Sequence, residues 1–189
     1  MNILLLHSTY GRRPAVEAAA ERLRSAGHEV TAPDLFEGRT FEDVEEGREY
    51  RDATGTEELL RRAVREAAPL SERGLVYAGF SLGGALAQNL ALGDERARGL
   101  LLLHGTSDIA EGATADGLPV QLHVAEPDPF EPDDWLSAWY LNMRRTGADV
   151  EIFRYRGAGH LYTDPALPDY DEAAAEATWR TATGFLDSL

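Results

Sequence analysis

The chain predicts an α/β fold: one doubly wound, mostly parallel sheet of about six strands with helices on both faces. Three observations carry that reading. Short runs that are almost continuously apolar, such as Asn2 to His7 and Gly99 to His104, have the composition of parallel strands covered on both sides. Segments with helical apolar periodicity separate these runs, and alternation of strand with helix is what builds such a sheet. At one strand-to-helix junction a serine stands between glycines, in Gly79-Phe80-Ser81-Leu82-Gly83-Gly84.

The elements follow in order. Asn2 to His7 is the first strand, and the loop His7-Ser8-Thr9-Tyr10-Gly11 leaves it. Pro14 then suits the first turn of a helix, where its missing N–H would be unpaired anyway. Val16, Ala19, Ala20 and Leu23 give that helix an apolar stripe ending near Gly27. Glu29 to Pro33 reads as the second strand. From Leu35 to Gly55 the chain turns acidic, with Glu42, Asp43, Glu45, Glu46 and Glu49. This 37–55 region is expected to cross the sheet edge as a solvated loop with a short helix. Its alternative role is to bring Phe36, Phe41 or Tyr50 to a substrate mouth. Thr56 to Ala68 predicts a helix capped by Thr56, leading through Pro69 and Gly74 to the strand before Ser81.

Leu82 to Leu92 is an alanine-rich helix, and Gly99 to His104 and Leu118 to Val124 are further strands. Asp133 to Thr146 carries Trp135, Leu136, Trp139, Tyr140 and Met143 on one side of a helix. These aromatic residues are expected to pack in the core. A strand at Val150 to Tyr155 and an amphipathic helix at Glu172 to Leu189 complete the series. Without repeats or linkers, residues 1–189 are expected to form one domain, long enough to bury a core without disulfide or metal.

Composition narrows the chemistry. The chain has no cysteine, which excludes disulfides, thiolate metal sites and a cysteine nucleophile. All eighteen basic residues are arginine, so lysine Schiff-base and Ser-Lys chemistry are excluded. A formal charge of -15 disfavours nucleic acid and anionic membranes, both of which select clustered basic residues. No leader-like segment or span-length apolar run follows Met1, so a cytoplasmic location and a monomer or homodimer are expected.

Within a doubly wound sheet, chemistry gathers beyond the carboxyl ends of the strands. Ser81, Asp128 and His160 each follow a predicted strand. The glycines around Ser81 permit the strained turn of a nucleophile elbow. His160 is expected to take the Ser81 Oγ proton and return it to the leaving group, with Asp128 fixing the imidazole tautomer. Backbone N–H groups of Leu82 and Thr9, with Ser8 as a neighbouring alternative, are expected to hold the oxyanion. Glu126 is an alternative acid or a partner of Asp128, and Asp108 and Asp133 are weaker alternatives. His7 and His104 end apolar strands, as structural or cleft-lining residues. Ser8, Tyr10, Phe80, Glu126 and Leu161 are the other candidates for the cleft wall. No metal-ligand spacing occurs among the histidines, and no metal or cofactor is expected.

The motifs Leu4-Leu5-Leu6-His7-Ser8-Thr9-Tyr10-Gly11, Ala32-Pro33-Asp34-Leu35-Phe36 and Gly79 to Gly84 resemble those of the dienelactone hydrolase family of α/β-hydrolases. Asp128-Pro129-Phe130-Glu131-Pro132 and Gly157-Ala158-Gly159-His160 extend the resemblance over nearly the whole chain. It implies a Ser81, Asp128, His160 triad with backbone donors at Thr9 and Leu82. It also implies an α/β-hydrolase fold lacking the N-terminal hairpin and any large lid, hence a shallow cleft. Three departures stand out. Family members that open dienelactones carry cysteine where this chain has Ser81, and glutamate where it has Ser8. Their substrate-binding arginine after the histidine is missing from Leu161-Tyr162-Thr163-Asp164. The expectation is a serine hydrolase of a small ester, lactone or thioester. Its rivals are an acyltransferase or peptidase with the same triad, and a non-catalytic ligand-binding module.

Overall fold

In the computed structural model, which describes residues 1–189, six parallel strands form one sheet. They are β1 (Asn2–Leu6), β2 (Glu29–Thr31), β3 (Val76–Phe80), β4 (Gly99–Leu103), β5 (Pro119–Glu126) and β6 (Asp149–Arg156), in the spatial order β2-β1-β3-β4-β5-β6. Six helices accompany them: α1 (Pro14–Ser25), α2 (Val44–Thr54), α3 (Thr56–Ala67), α4 (Leu82–Leu92), α5 (Asp133–Arg145) and α6 (Glu172–Ser188). The doubly wound fold expected from the sequence is present, with every strand pair parallel.

Alternation along each strand sends side chains to two separate cores. Leu4, Leu6, Tyr77, Leu100, Leu102, Leu122 and Val124 pack with α3, α4 and α5 through residues such as Leu59, Leu86 and Trp139. Ile3, Leu5, Val76, Ala78, Phe80, Leu101 and Leu103 face α1 and α6, against Leu23, Trp179 and Phe185. Burial on both faces explains why β3 and β4 read as unbroken apolar runs. The edge strand β6 instead mixes exposed Glu151 and Arg154 with buried Val150.

The sheet changes winding direction at β1. The chain moves from β1 to β2 on one side, then returns to place β3 on the other, with Leu6 paired to Gly79. That reversal opens a crevice between the loops leaving β1 and β3. Thr9 and Ser81 stand on those loops.

Two local expectations need correction. Thr56 is the first residue of α3 and not its cap; Gly55, at φ 85°, separates α2 from α3 with no side-chain cap. The acidic segment contains an eleven-residue helix, α2, started by Asp43, whose carboxylate accepts from the Glu45 and Glu46 N–H groups. Tyr50 of α2 clusters with Phe36 and Phe41, Phe36 meeting both other rings edge-to-face, and Phe36 is fully buried.

Candidate active site

Ser81 precedes α4 as its N-cap residue, in a backbone conformation that L-residues avoid, φ 50° and ψ -111°. A residue held there stores about 1–3 kcal/mol of strain, so its surroundings must enforce it. The enforcement is steric. A β-carbon on Gly79 would overlap the Gly83 carbonyl group, and one on Gly83 would overlap the Leu6 carbonyl oxygen. Gly84 lies against the Gly105 carbonyl, and Gly105 against the Ser81 backbone, where β-carbons would stand 2.6 and 2.5 Å away. Four glycines therefore let β1, β3, β4 and α4 converge at one point, and the Ser81 side chain is carried out of the turn.

The Ser81 hydroxyl lies 2.9 Å from His160 Nε2. His160 Nδ1 stands 2.8 and 3.0 Å from the two carboxylate oxygens of Asp128. A carboxylate accepts only, so Nδ1 carries the proton and Nε2 is left to accept from the serine. Asp128 also accepts the Phe130 N–H at 2.9 Å, and its side chain has no exposed surface. The loop Gly157 to Tyr162 brings His160 over Ser81 from beyond β6. Phe130 lies against the His160 ring, with centroids 4.4 Å apart.

Two backbone N–H groups beside the cleft are without a partner. Neither the Thr9 nor the Leu82 N–H donates to any protein acceptor, and both residues line the cleft. Leu82 is the first residue of α4, where helical N–H groups are unpaired and the dipole favours negative charge. The Thr9 N–H belongs to a peptide whose other end is clamped. The Ser8 carbonyl accepts from His7 Nδ1 at 2.8 Å and from the Gly11 N–H at 3.0 Å. The Leu35 N–H donates to His7 Nε2 at 3.0 Å, which fixes the tautomer that leaves Nδ1–H for Ser8. Burial lowers the His7 pKa below its ordinary value, keeping this neutral form in place.

A second carboxylate adjoins the site. Glu131 accepts from the Thr106 N–H at 2.9 Å, the Thr106 hydroxyl at 2.6 Å and the Trp135 indole at 3.1 Å. Its pKa is raised, chiefly by burial. Through these bonds the loop holding Asp128 is joined to the Gly105-Thr106 segment that packs beneath Ser81. Sequence reasoning assigned Glu131 no part. The available signal was an acid four residues before Trp135 at a helix entrance, next to the residues already singled out.

The cleft above Ser81 has about 200 Å³ of free space, lined by Thr9, Tyr10, Leu82, Phe130, Glu131, Leu161 and α2 residues Val44, Arg48 and Arg51. Tyr10 and Leu161 thus stand where expected. The other candidates for its wall do not. His7 is buried under the Ser8 to Gly11 loop, because its two nitrogens serve Ser8 and Leu35. Ser8 and Phe80 face a small pocket behind that loop, since Phe80 points to the α1 and α6 core. His104 is fully buried below His160, its Nε2 paired with the Thr163 hydroxyl at 2.7 Å. Glu126 turns outward to Arg156 at 2.9 Å, and Asp133 pairs with Arg154. In the mouth, the Phe36, Phe41 and Tyr50 alternative gives way to two arginines. Three or more histidine and acidic residues gather nowhere in an arrangement that would hold a metal ion.

Comparison with known proteins agrees with this architecture. The sequence model of the Dienelactone hydrolase family matches residues 1–189. A dienelactone hydrolase-like promiscuous phosphotriesterase from metagenomic libraries superposes with a TM-score of 0.83 at 20% identity, over 100% of this chain and 86% of that one. A phospholipase/carboxylesterase from Dyadobacter fermentans gives a TM-score of 0.67 at 17% identity, covering 95% and 88% of the two chains. Thermogutta terrifontis esterase 2, phosphonylated by cyclosarin, gives 0.72 at 17% identity, over 99% and 82%. No curated protein sequence matches the chain. At these identities the superpositions show a shared α/β-hydrolase fold. The family match is carried by the sequence itself.

Proposed function

Because the chain belongs to the dienelactone hydrolase family, and so is a hydrolase of esterase type, we propose that it cleaves small carboxylic esters, lactones or thioesters through an acyl-enzyme on Ser81. One observation carries this reading: an unbroken relay from Ser81 Oγ through His160 to the buried Asp128, at 2.9 and 2.8 Å.

His160 takes the Ser81 proton as Oγ attacks the ester carbonyl, and Asp128 stabilises the resulting imidazolium. The carbonyl oxygen, now an anion, turns toward the free N–H groups of Thr9 and Leu82. Collapse expels the alcohol, to which His160 gives the proton. Water, deprotonated by the same imidazole, then attacks the acyl-enzyme and releases the acid. Removing one such donor in a comparable site slows the reaction about 10²- to 10³-fold, so the two N–H groups account for a large part of the acceleration.

The free space of about 200 Å³ suits a small acyl group. Arg48 and Arg51 on its wall favour esters whose leaving group or acyl chain carries negative charge, since guanidinium groups bind carboxylate and phosphate oxygens in pairs. The arginine missing after His160 thus has two counterparts on α2, which an anionic group would draw from their exposed partners: Arg48 from Glu45 and Arg51 from Asp52.

The test is Ser81→Ala. Hydrolysis of short p-nitrophenyl esters is expected to vanish while thermal unfolding stays near that of the parent protein. Turnover undiminished in that variant would remove Ser81 from the mechanism.

A further inference from the structure

Helix α2 touches both the cleft and the loop that carries the Thr9 N–H. Gly47 is its one buried residue. The backbone of Gly47 is ordinary helix, so no torsional demand calls for glycine there. Glycine inside a helix is disfavoured by about 1 kcal/mol relative to alanine, and its place must be explained by packing. A β-carbon on Gly47 would overlap the Thr9 carbonyl oxygen and stand 3.1 Å from both the Thr9 carbonyl carbon and Cγ2. The helix therefore rests directly on the Thr9 main chain.

Neighbouring contacts bind the same two segments together. Gly11 bridges to Thr40, the Phe41 N–H donates to the Tyr10 carbonyl at 3.0 Å, and buried Arg13 donates to the Phe41 carbonyl at 3.0 Å. The Thr9 residue is thus held from two sides. His7 and Gly11 fix the carbonyl before it, and Gly47 bears on its own carbonyl.

We propose that Gly47 is a positioning residue for oxyanion stabilisation: its lack of a side chain seats α2 on the Thr9 carbonyl and so aims the Thr9 N–H at the tetrahedral adduct on Ser81. The inference rests on the hydrolase reading above. It assigns the acidic segment a task, since the helix that supports the donor also presents Val44, Arg48 and Arg51 to the substrate. Substrate groups that engage those arginines bear on the oxyanion donor through one rigid helix. Remote binding energy then enters kcat as well as KM.

The experiment compares Gly47→Ala with the parent protein on p-nitrophenyl acetate and with phenylboronic acid, which forms a tetrahedral adduct on a serine. A displaced donor is expected to lower kcat about 10- to 100-fold with little change in KM, and to weaken boronate inhibition in step with kcat. Glu46→Ala, on the exposed side of α2, is expected to change neither. Asp43→Ala removes the carboxylate that starts α2 and is expected to lower kcat about two- to fivefold in the same direction. A folded Gly47→Ala protein with parental kcat and boronate affinity would overturn the proposal. Should that variant fail to fold, a parental kcat in Asp43→Ala would overturn it instead. If the parent protein hydrolyses no ester and captures no boronate, the hydrolase reading falls separately. The Thr9 amide resonance still reads the contact in that case: a shift in Gly47→Ala supports the seat on Thr9, and an unmoved resonance refutes it.

Discussion

The two walls of the cleft are built in opposite ways. The wall under Ser81 is made from β3, α4 and the end of β4, where backbone lies on backbone through Gly79, Gly83, Gly84 and Gly105. The wall opposite is α2, an acidic helix with one buried residue, whose Arg48 guanidinium sits 5.0 Å from the Phe130 ring centre. The first wall cannot move without unfolding the sheet around it. The second is held by a few contacts, and its exposed residues are nearly free to change. Close backbone packing is concentrated where the strained serine must be enforced, and a lightly buried element is left facing the cleft.

The largest expected effect breaks the rigid wall. Gly79→Ala drives a β-carbon into the Gly83 carbonyl, a backbone overlap that side-chain motion cannot relieve. Destabilisation above about 4 kcal/mol corresponds to a fall in Tm of about 10 °C or more for a domain of this size. Glu49→Ala on the opposite wall is expected to leave Tm unchanged within error. Thermal unfolding of the pair decides whether the contrast holds.

Next in size is the relay. Asp128→Asn retains the shape but no longer secures the required tautomer, and kcat is expected to fall about 10³- to 10⁴-fold. Glu126→Gln, whose parent carboxylate meets Arg156 outside the cleft, is expected to leave kcat unchanged. Steady-state kinetics on one ester separates the two acids.

Acid stability probes two fully buried histidines of the sheet, His123 on β5 and His104 just after β4. Burial lowers the pKa of His123 to about 3 and that of His104 well below its ordinary value of 6.5. His104 Nδ1 is moreover buried without a partner. Between pH 6.5 and the lowered values, the unfolded chain binds protons that the folded chain does not. Stability from these residues is therefore full above pH 6.5 and is lost as pH falls, by about 1.4 kcal/mol per pH unit for each histidine. Chemical unfolding from pH 7 to 5 should show this slope, and His123→Gln should reduce it. A slope unaltered in that variant would contradict the assignment of His123 as neutral.

The smallest effect sharpens the α2 wall. Arg51→Ala is expected to raise KM about three- to tenfold for an ester bearing a carboxylate, and to leave a neutral ester of equal size unaffected. Equal changes for both esters would make the arginine a packing residue.

What could be read in advance follows the same division. The elbow was legible because its physics is local: glycines within a few residues of Ser81, at a strand end, leave few alternatives. Asp128 and His160 were legible from their positions after β5 and β6. Between Asp128 and Glu126 the sequence left a choice, since both lie at the end of one strand and only the path of the loop decides which carboxylate meets the imidazole. Gly47, Arg48, Arg51 and Glu131 were missed for a different reason. Each reaches the cleft only through the fold, and an acidic, weakly apolar segment resembles solvated surface until the fold sets it against Thr9. His7 was seen as ending a strand, but its bonds to Ser8 and Leu35 require the third dimension.

The central claim is that Ser81 becomes acylated. Intact-mass and peptide analysis after exposure to a fluorophosphonate, or to an ester under rapid acid quench, tests it directly. One adduct per chain is expected, on the peptide containing Ser81, and none in Ser81→Ala. An adduct on any other residue, or rapid ester turnover with no adduct trapped by either reagent, would contradict the account.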